Sequence, residues 1–143
     1  LARTHLEKEA ARVGAFRDEL EAKILAAVPF CGVNGDRARR TPNTTSIHFD
    51  YVEGEALVIA LDLKGVACST GAACSSGAVE PSHVLTAIGL PPERARASLR
   101  FSLGRMTIRE DIDFVAGILP QVVEHLRELS PLYKKPAVTA TVQ

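Results

Sequence analysis

The sequence predicts an α+β fold, in which a small antiparallel or mixed sheet of about three strands is covered on one face by helices. Long amphipathic patterns lie near both ends of the chain, at 2–28 and 107–129. Short alternating segments between them are typical of strands. Helical and extended segments do not follow each other as in βαβ units, which argues against a parallel sheet.

The first helix is predicted over 2–28 because its apolar residues recur at gaps of three and four. This stripe consists of Leu6, Ala10, Val13, Phe16, Leu20, Ile24 and Val28. Pro29 follows the predicted end of the helix.

Two strands are predicted, over 46–49 and 98–103, because apolar and polar residues alternate in both. In the second strand the alternation puts Arg100 on the open face, away from the core. A further stub of strand is expected at 66–67. Residues 31–42 are rich in Gly, Asn, Asp and Arg, and are predicted to form a solvated loop.

Further helices are predicted over 54–63, with Leu57, Val58 and Leu61 buried, and over 80–88, with a short turn after Pro91. Thr107-Ile108-Arg109-Glu110 matches a capping box, which would start the last helix. That helix would continue through Leu129 with a kink at Pro120.

Composition limits the classes of function. With 143 residues and 46% hydrophobic content, the chain can build one core. Its 17 basic and 17 acidic residues cancel, which argues against nucleic acid as a partner. No apolar run reaches the roughly 18 residues that span a bilayer, so no membrane partner is expected. The three cysteines match no zinc pattern, and we predict a cytoplasmic protein with reduced thiols and no bound metal.

The segment 68–79, CSTGAACSSGAV, contains almost only small uncharged residues. Such residues bury little area in return for being ordered, so a mobile loop is predicted. Cys74 lies in its middle, and we interpret it as a reactive thiol; the alternative is a buried small apolar residue. Cys31 and Cys68 are predicted to be packed. No histidine is spaced to form an obvious Cys–His pair.

Arg100 has two interpretations at this point. It is either an ordinary exposed strand arginine or a clamp for a carboxylate, whose geometry the guanidinium matches. The neighbouring Ser98 and Ser102 and the nearby Gly104 are compatible with the second interpretation.

Several motifs together resemble a known family over most of the chain, from the first helix to about Tyr133. They are GVACSTGAACSSGAVEPSHVLTAIGL (65–90), ASLRFSLGRMT (97–107), VNGDRARRTPNT, IHFDYVEGEALVIALD and LRELSPLY. In this order they resemble the carboxy-terminal part of pyridoxal-phosphate-dependent cysteine desulfurases of the class V aminotransferase superfamily. The similar members have a long cysteine loop and serve nitrogen fixation or housekeeping iron–sulfur assembly.

The resemblance implies a role for each candidate residue. Cys74 would be the catalytic nucleophile that takes sulfur from L-cysteine bound to pyridoxal phosphate, leaving an enzyme persulfide and releasing L-alanine. Arg100 would bind the substrate carboxylate, and Asn43 would lie near the mouth of the active site as a second substrate-binding residue. A loop suits this chemistry because the thiol must reach both the cofactor and a sulfur acceptor.

The resemblance also implies what this chain lacks. In the family, pyridoxal phosphate is bound by a large domain, and none of the lysines here matches the cofactor lysine. We therefore predict that 1–133 is the small domain alone, inactive by itself, and that 134–143 is a flexible tail. Expected partners are that large domain, an iron–sulfur scaffold or other sulfur acceptor, and a second copy in a homodimer. The alternative is a non-enzymatic persulfide carrier or interaction module.

Overall fold

Three antiparallel strands and five helices make up the part of the chain that the computed structural model describes, residues 2–71 and 80–134, with side chains from residue 5 onward. The strands are β1 (Cys31–Val33), β2 (Thr44–Phe49) and β3 (Ser98–Ser102), and they form one sheet in that order. The helices are α1 (Ala2–Ala27), α2 (Gly54–Asp62), α3 (His83–Ala87), α4 (Pro92–Arg96) and α5 (Arg109–Glu128). The α+β class and the small sheet are confirmed.

The core lies between one face of the sheet and the helices α1, α2 and α5. Alternate residues of β2 and β3 face it, and Ile47, Phe49 and Leu99 are fully buried. The predicted stripe of α1 holds from Val13 to Val28, whereas Leu6 is 75% exposed and lies beyond the core. The predicted covering of one sheet face by helices is thus confirmed, and the opposite face carries polar side chains.

Two local predictions are wrong. Residues 31–33 belong to β1 rather than to a loop, because Cys31, Gly32 and Val33 pair with the end of β2. The stub expected at 66–67 is not a strand; the nearest pairing is a single bridge at Ser69. Both segments are too short for an alternating pattern, so pairing with a neighbouring strand decides their conformation.

The start of α5 also differs from the prediction. The backbone N–H of Ile108 donates to Asp111 Oδ2 at 3.0 Å, so Asp111 and not Glu110 caps the helix. The Thr107 hydroxyl instead accepts from the N–H of Gly104 at 2.9 Å. The helix then continues to Glu128 as one element through Pro120.

A buried carboxylate joins α1 to the chain before β2. Glu21 is fully buried and accepts hydrogen bonds from Arg37 (3.0 Å), from Arg40 and from the hydroxyl of Thr45 (2.5 Å). Burial by itself would raise the pKa of Glu21, but the hydrogen bonds from Arg40 and Thr45 outweigh it and lower that pKa below its ordinary value. The ion pair therefore anchors the start of β2 to α1.

Among the helices of the described ranges, none combines the length and the apolar character that crossing a bilayer would require.

Candidate functional site

Arg100 lies at the centre of β3 on the open face of the sheet, as the alternation predicts. Leu99 and Phe101 on either side point into the core, whereas the side chain of Arg100 is exposed. No other residue within 5–71 or 80–134 forms a hydrogen bond or an ion pair with its guanidinium group. With respect to the described residues, the group is therefore available to bind an anion.

Ser69 is hydrogen-bonded directly to Arg100. The N–H of Arg100 donates to the carbonyl of Ser69 at 2.6 Å, and the N–H of Ser69 donates to the carbonyl of Arg100 at 3.2 Å. This antiparallel bridge continues the sheet by one residue beyond β3. It places the beginning of the small-residue segment beside the candidate anion-binding side chain.

Gly54 allows the residues after Ser69 to pack against the domain. A Cβ atom at position 54 would lie 2.5 Å from the carbonyl oxygen of Arg96 and 3.3 Å from a methyl group of Thr70. On the far side of the segment, Glu80 lines the same recess as Thr70 and Arg96. The described residues on either side of 72–79 therefore border one recess.

Cys74, the predicted nucleophile, lies within 72–79 and hence outside the described residues. Of the mobile loop predicted over 68–79, residues 72–79 are outside them as well, whereas Ser69 is described and is paired with Arg100 rather than being part of a free loop. The role of Cys74 stays a prediction.

Asn43 precedes β2 and holds the end of β3. Its carbonyl accepts from the N–H of Leu103 at 2.8 Å, and its side-chain Nδ2 donates to the carbonyl of Leu103 at 3.3 Å. Both contacts of Asn43 are thus made to Leu103, three residues after Arg100 and just beyond the end of β3. They describe a structural function, and the substrate-binding role of Asn43 stays a prediction.

A polar network that the sequence analysis missed covers the open face next to Arg100. Asn34 Nδ2 donates to the hydroxyls of Ser46 and Ser98, each at 2.9 Å. Its Oδ1 lies 2.8 Å from Nδ1 of His48, which must carry the proton because an amide oxygen can only accept. Burial, followed by the positive charge of Arg94, lowers the pKa of His48. The polar residues at alternate positions 46 and 48 are the signal that could have indicated this network.

The two described cysteines are poor nucleophiles. Burial raises the pKa of Cys68 to about 11, and it also raises the pKa of Cys31. The Cys31 thiol donates to the carbonyl of Val28 at 3.1 Å. Both are free thiols that are partly buried, which agrees with the expectation that they are packed.

The described residues do not fit pyridoxal phosphate, which needs a lysine beside the substrate. Lys23 forms ion pairs with carboxylates of α1 and α5. Lys64 lines a cavity against α5. Both lysines therefore lie on the helical side of the sheet, opposite Arg100, while Lys8 and Lys134 are exposed.

Comparisons with known proteins agree on one family. The family model described as "Aminotransferase class-V" matches residues 1–115. The chain is 49% identical over 127 residues to a "Cysteine desulfurase" of Nostoc sp., covering 89% of this chain and 32% of the relative. It is 48% identical over 128 residues to "Cysteine desulfurase NifS" of Azotobacter vinelandii, covering 90% of this chain and 32% of the relative.

A solved structure named "NIFS-LIKE PROTEIN" has the same fold, with a TM-score of 0.73 at 22% identity, over 87% of this chain and 31% of that one. The chain spans about a third of the length of the curated relatives it matches. Because the family model covers most of its residues, the chain belongs to the aminotransferase class-V family.

Proposed function

We propose that this chain is the small domain of a cysteine desulfurase, in which Cys74 accepts sulfur from L-cysteine while Arg100 binds the substrate carboxylate. The observation that carries the proposal is the bridge between Ser69 and Arg100. Since five residues span at most about 18 Å, the Cα atom of Cys74 cannot lie further than that from the Cα atom of Ser69. This limit is compatible with contact between the Cys74 thiol and a substrate held by Arg100.

Arg100 is suited to the binding step. Its guanidinium group is exposed and unpaired among the described residues, and it matches a carboxylate in bidentate geometry. The backbone that carries it is hydrogen-bonded to Ser69, and Ser46 is its register partner in β2. A rigid strand gives such a group a fixed position. Binding by Arg100 would hold L-cysteine with its thiol free to meet Cys74.

The sulfur-transfer step balances without an added oxidant. The Cys74 thiolate attacks Sγ of L-cysteine, and a sulfur–sulfur bond forms while the Cβ–Sγ bond breaks. The electron pair of the broken bond stays on carbon, which takes up the thiol proton to give L-alanine. Sulfur is oxidised and carbon is reduced by the same two electrons, and Cys74 carries the persulfide to an acceptor.

The rest of the machinery would come from the part of the protein that this chain does not span. That part would bind pyridoxal phosphate, whose electron-withdrawing ring supports carbanion chemistry. It would also make most of the contacts in a homodimer. The sulfur acceptor would be an iron–sulfur scaffold or another cytoplasmic sulfur-accepting protein.

Sulfur transfer in the whole enzyme tests the proposal. Cys74→Ser is expected to abolish alanine release and the addition of one sulfur atom to the protein, measured by mass spectrometry after incubation with L-cysteine. Cys68→Ser is the matched control and should retain both, because burial keeps the Cys68 thiol protonated. Retained alanine release in Cys74→Ser would overturn the proposal. If L-cysteine yields neither alanine nor a sulfur adduct, but an added low-molecular-weight persulfide transfers its outer sulfur to Cys74 and leaves as a thiol, the protein would instead be a sulfur carrier.

The carboxylate-binding role has its own test. Arg100→Ala is expected to raise the KM for L-cysteine on the order of a hundredfold, because charge-assisted bidentate hydrogen bonds are lost. The exposed Arg39 offers a matched control, and its change to Ala should leave KM unaltered. An unchanged KM in Arg100→Ala would remove the carboxylate site from the proposal.

A further inference from the structure

Two serine side chains flank Arg100 across the sheet. Ser46 of β2 is its register partner on one side, and Ser69 is its bridge partner on the other. Residues directly opposite each other in antiparallel pairs project to the same face. Both hydroxyls therefore lie on the open face together with the guanidinium group of Arg100.

The two pairs differ in their spacing. The N–H and the carbonyl of Arg100 are both bonded to Ser69, so Ser69 and Arg100 form a hydrogen-bonded pair. The pair of Ser46 with Arg100 is then of the other kind, in which the strands approach more closely and the side chains lie nearer. Ser46 is thus the nearer of the two hydroxyl-bearing residues.

The hydroxyl of Ser46 is oriented by Asn34. Its Oγ accepts from Nδ2 of Asn34 at 2.9 Å. The carboxamide of Asn34 is itself fixed, since it also donates to Ser98 and pairs with His48. With Oγ accepting from one side, the Ser46 proton has no acceptor among residues 5–71 and 80–134 and remains available for a ligand.

Ser69 is arranged in the same way. Its Oγ accepts from the backbone N–H of Gly71 at 3.1 Å, and its own proton meets no acceptor within the described ranges. The two serines that lie two positions before and after Arg100 in the sequence differ. Ser98 is buried and already donates to the carbonyl of Arg94 at 2.6 Å. Ser102 pairs with Thr44, two residues along β3 from the pair of Arg100 with Ser46.

We propose that Ser46 and Ser69 are further binding residues for the carboxylate that Arg100 takes, each donating its hydroxyl proton to a carboxylate oxygen. A carboxylate offers about four acceptor positions, enough for a bidentate arginine and two hydroxyls. This inference rests on the proposed function, because it takes the ligand of Arg100 to be the carboxylate of L-cysteine. It makes the site a three-residue cradle built by β2, β3 and the residue bridged to β3.

The test is steady-state kinetics of the whole enzyme with Ser46→Ala and Ser69→Ala. Each variant should raise the KM for L-cysteine and the inhibition constant of L-alanine about tenfold, with kcat changed less than about twofold, because a hydrogen bond to a charged group is lost. Ser46→Thr keeps a hydroxyl and should restore both constants. Ser102→Ala is the matched control on the same face and should leave them unchanged.

The outcomes separate the two proposals. If Arg100→Ala raises the KM but the serine variants do not, the cradle is wrong and the carboxylate site stands. If Arg100→Ala has no effect, the carboxylate site of the proposed function is wrong. A loss of kcat at constant KM in the serine variants, or a failure of Ser46→Thr to restore binding, would show a structural role and overturn the inference.

Discussion

Ser69 and Arg100 are joined by two backbone hydrogen bonds, of 3.2 and 2.6 Å, at the free edge of β3. One residue of the small-residue segment therefore belongs to the sheet. Cys74 follows Ser69 by five positions, so the length of the chain limits the distance between their Cα atoms to about 18 Å. The proposed sulfur transfer uses Cys74 and Arg100, and Ser69 is the described residue that pairs with Arg100 and precedes Cys74 in the chain.

The bridge predicts unequal hydrogen exchange within β3. Arg100 and Ser102 both direct their N–H groups away from β2, but only the N–H of Arg100 finds an acceptor, the carbonyl of Ser69; the N–H of Ser102 has none within the described ranges. The Arg100 amide should exchange roughly a hundredfold more slowly than the Ser102 amide after correction for intrinsic rates. Exchange followed by NMR measures both, and equal rates would contradict the bridge.

Gly54→Ala is expected to destabilise the domain. The new Cβ would lie 2.5 Å from the carbonyl oxygen of Arg96 and 3.1 Å from that of Ser98, and backbone must shift to admit it. Such overpacking costs about 1–3 kcal/mol of unfolding free energy. Gly117→Ala is the control, because a Cβ there meets nothing within 4 Å in the interior of α5, and it should stabilise by about 0.5–1 kcal/mol. Urea unfolding measures both, and equal midpoints for the two variants would refute this packing.

Glu21→Gln should cost about 3 kcal/mol at pH 7, since it removes the buried carboxylate that pairs with the partly buried guanidinium of Arg40 and leaves only the longer ion pair with Asp18, at 3.4 Å. The pKa of Glu21 is lowered in the folded state, so its contribution is complete above the unfolded value of about 4.3 and disappears as the pH falls through the folded value. Wild type and variant should therefore converge in stability in acid. The exposed Glu55→Gln is the control, expected within about 0.5 kcal/mol of wild type at all pH values. Urea titrations at successive pH values from 7 downward distinguish the cases, and a difference that does not shrink as the Glu21 carboxyl becomes protonated would contradict the buried ion pair.

The thiols should react in a defined order. With a pKa of about 11, roughly a thousandth of Cys68 is thiolate at pH 8, and thiolate is the species that reacts. We expect iodoacetamide to label Cys74 first and Cys68 far more slowly, as followed by peptide mass spectrometry. Cys68→Ser should leave the fast labelling unaffected. Labelling of Cys68 at the rate of a fully exposed thiol would contradict the partial burial of its side chain and its raised pKa.

Strong periodic patterns were sufficient to predict much of the fold. The stripe from Val13 to Val28 and the alternation around Arg100 gave the correct elements, because burial of one face leaves a regular signal. β1 was missed since three residues carry no such signal and pair only because β2 lies beside them. The capping prediction chose Glu110 over Asp111 because both acidic residues stand in the first turn and only the helix start distinguishes them.

The amino-acid sequence alone determined the fold class, the orientation of Arg100 away from the core and the choice of Cys74 as the candidate thiol, since each follows from local composition or periodicity. The tertiary structure alone decided that Ser69 pairs with Arg100, that Asn34 orients Ser46, and that Glu21 is buried against Arg40. These contacts join residues 12 to 31 positions apart. Pairing of the strands and packing of the helices against the sheet bring such residues together, and a pattern within a short stretch of sequence does not predict these contacts.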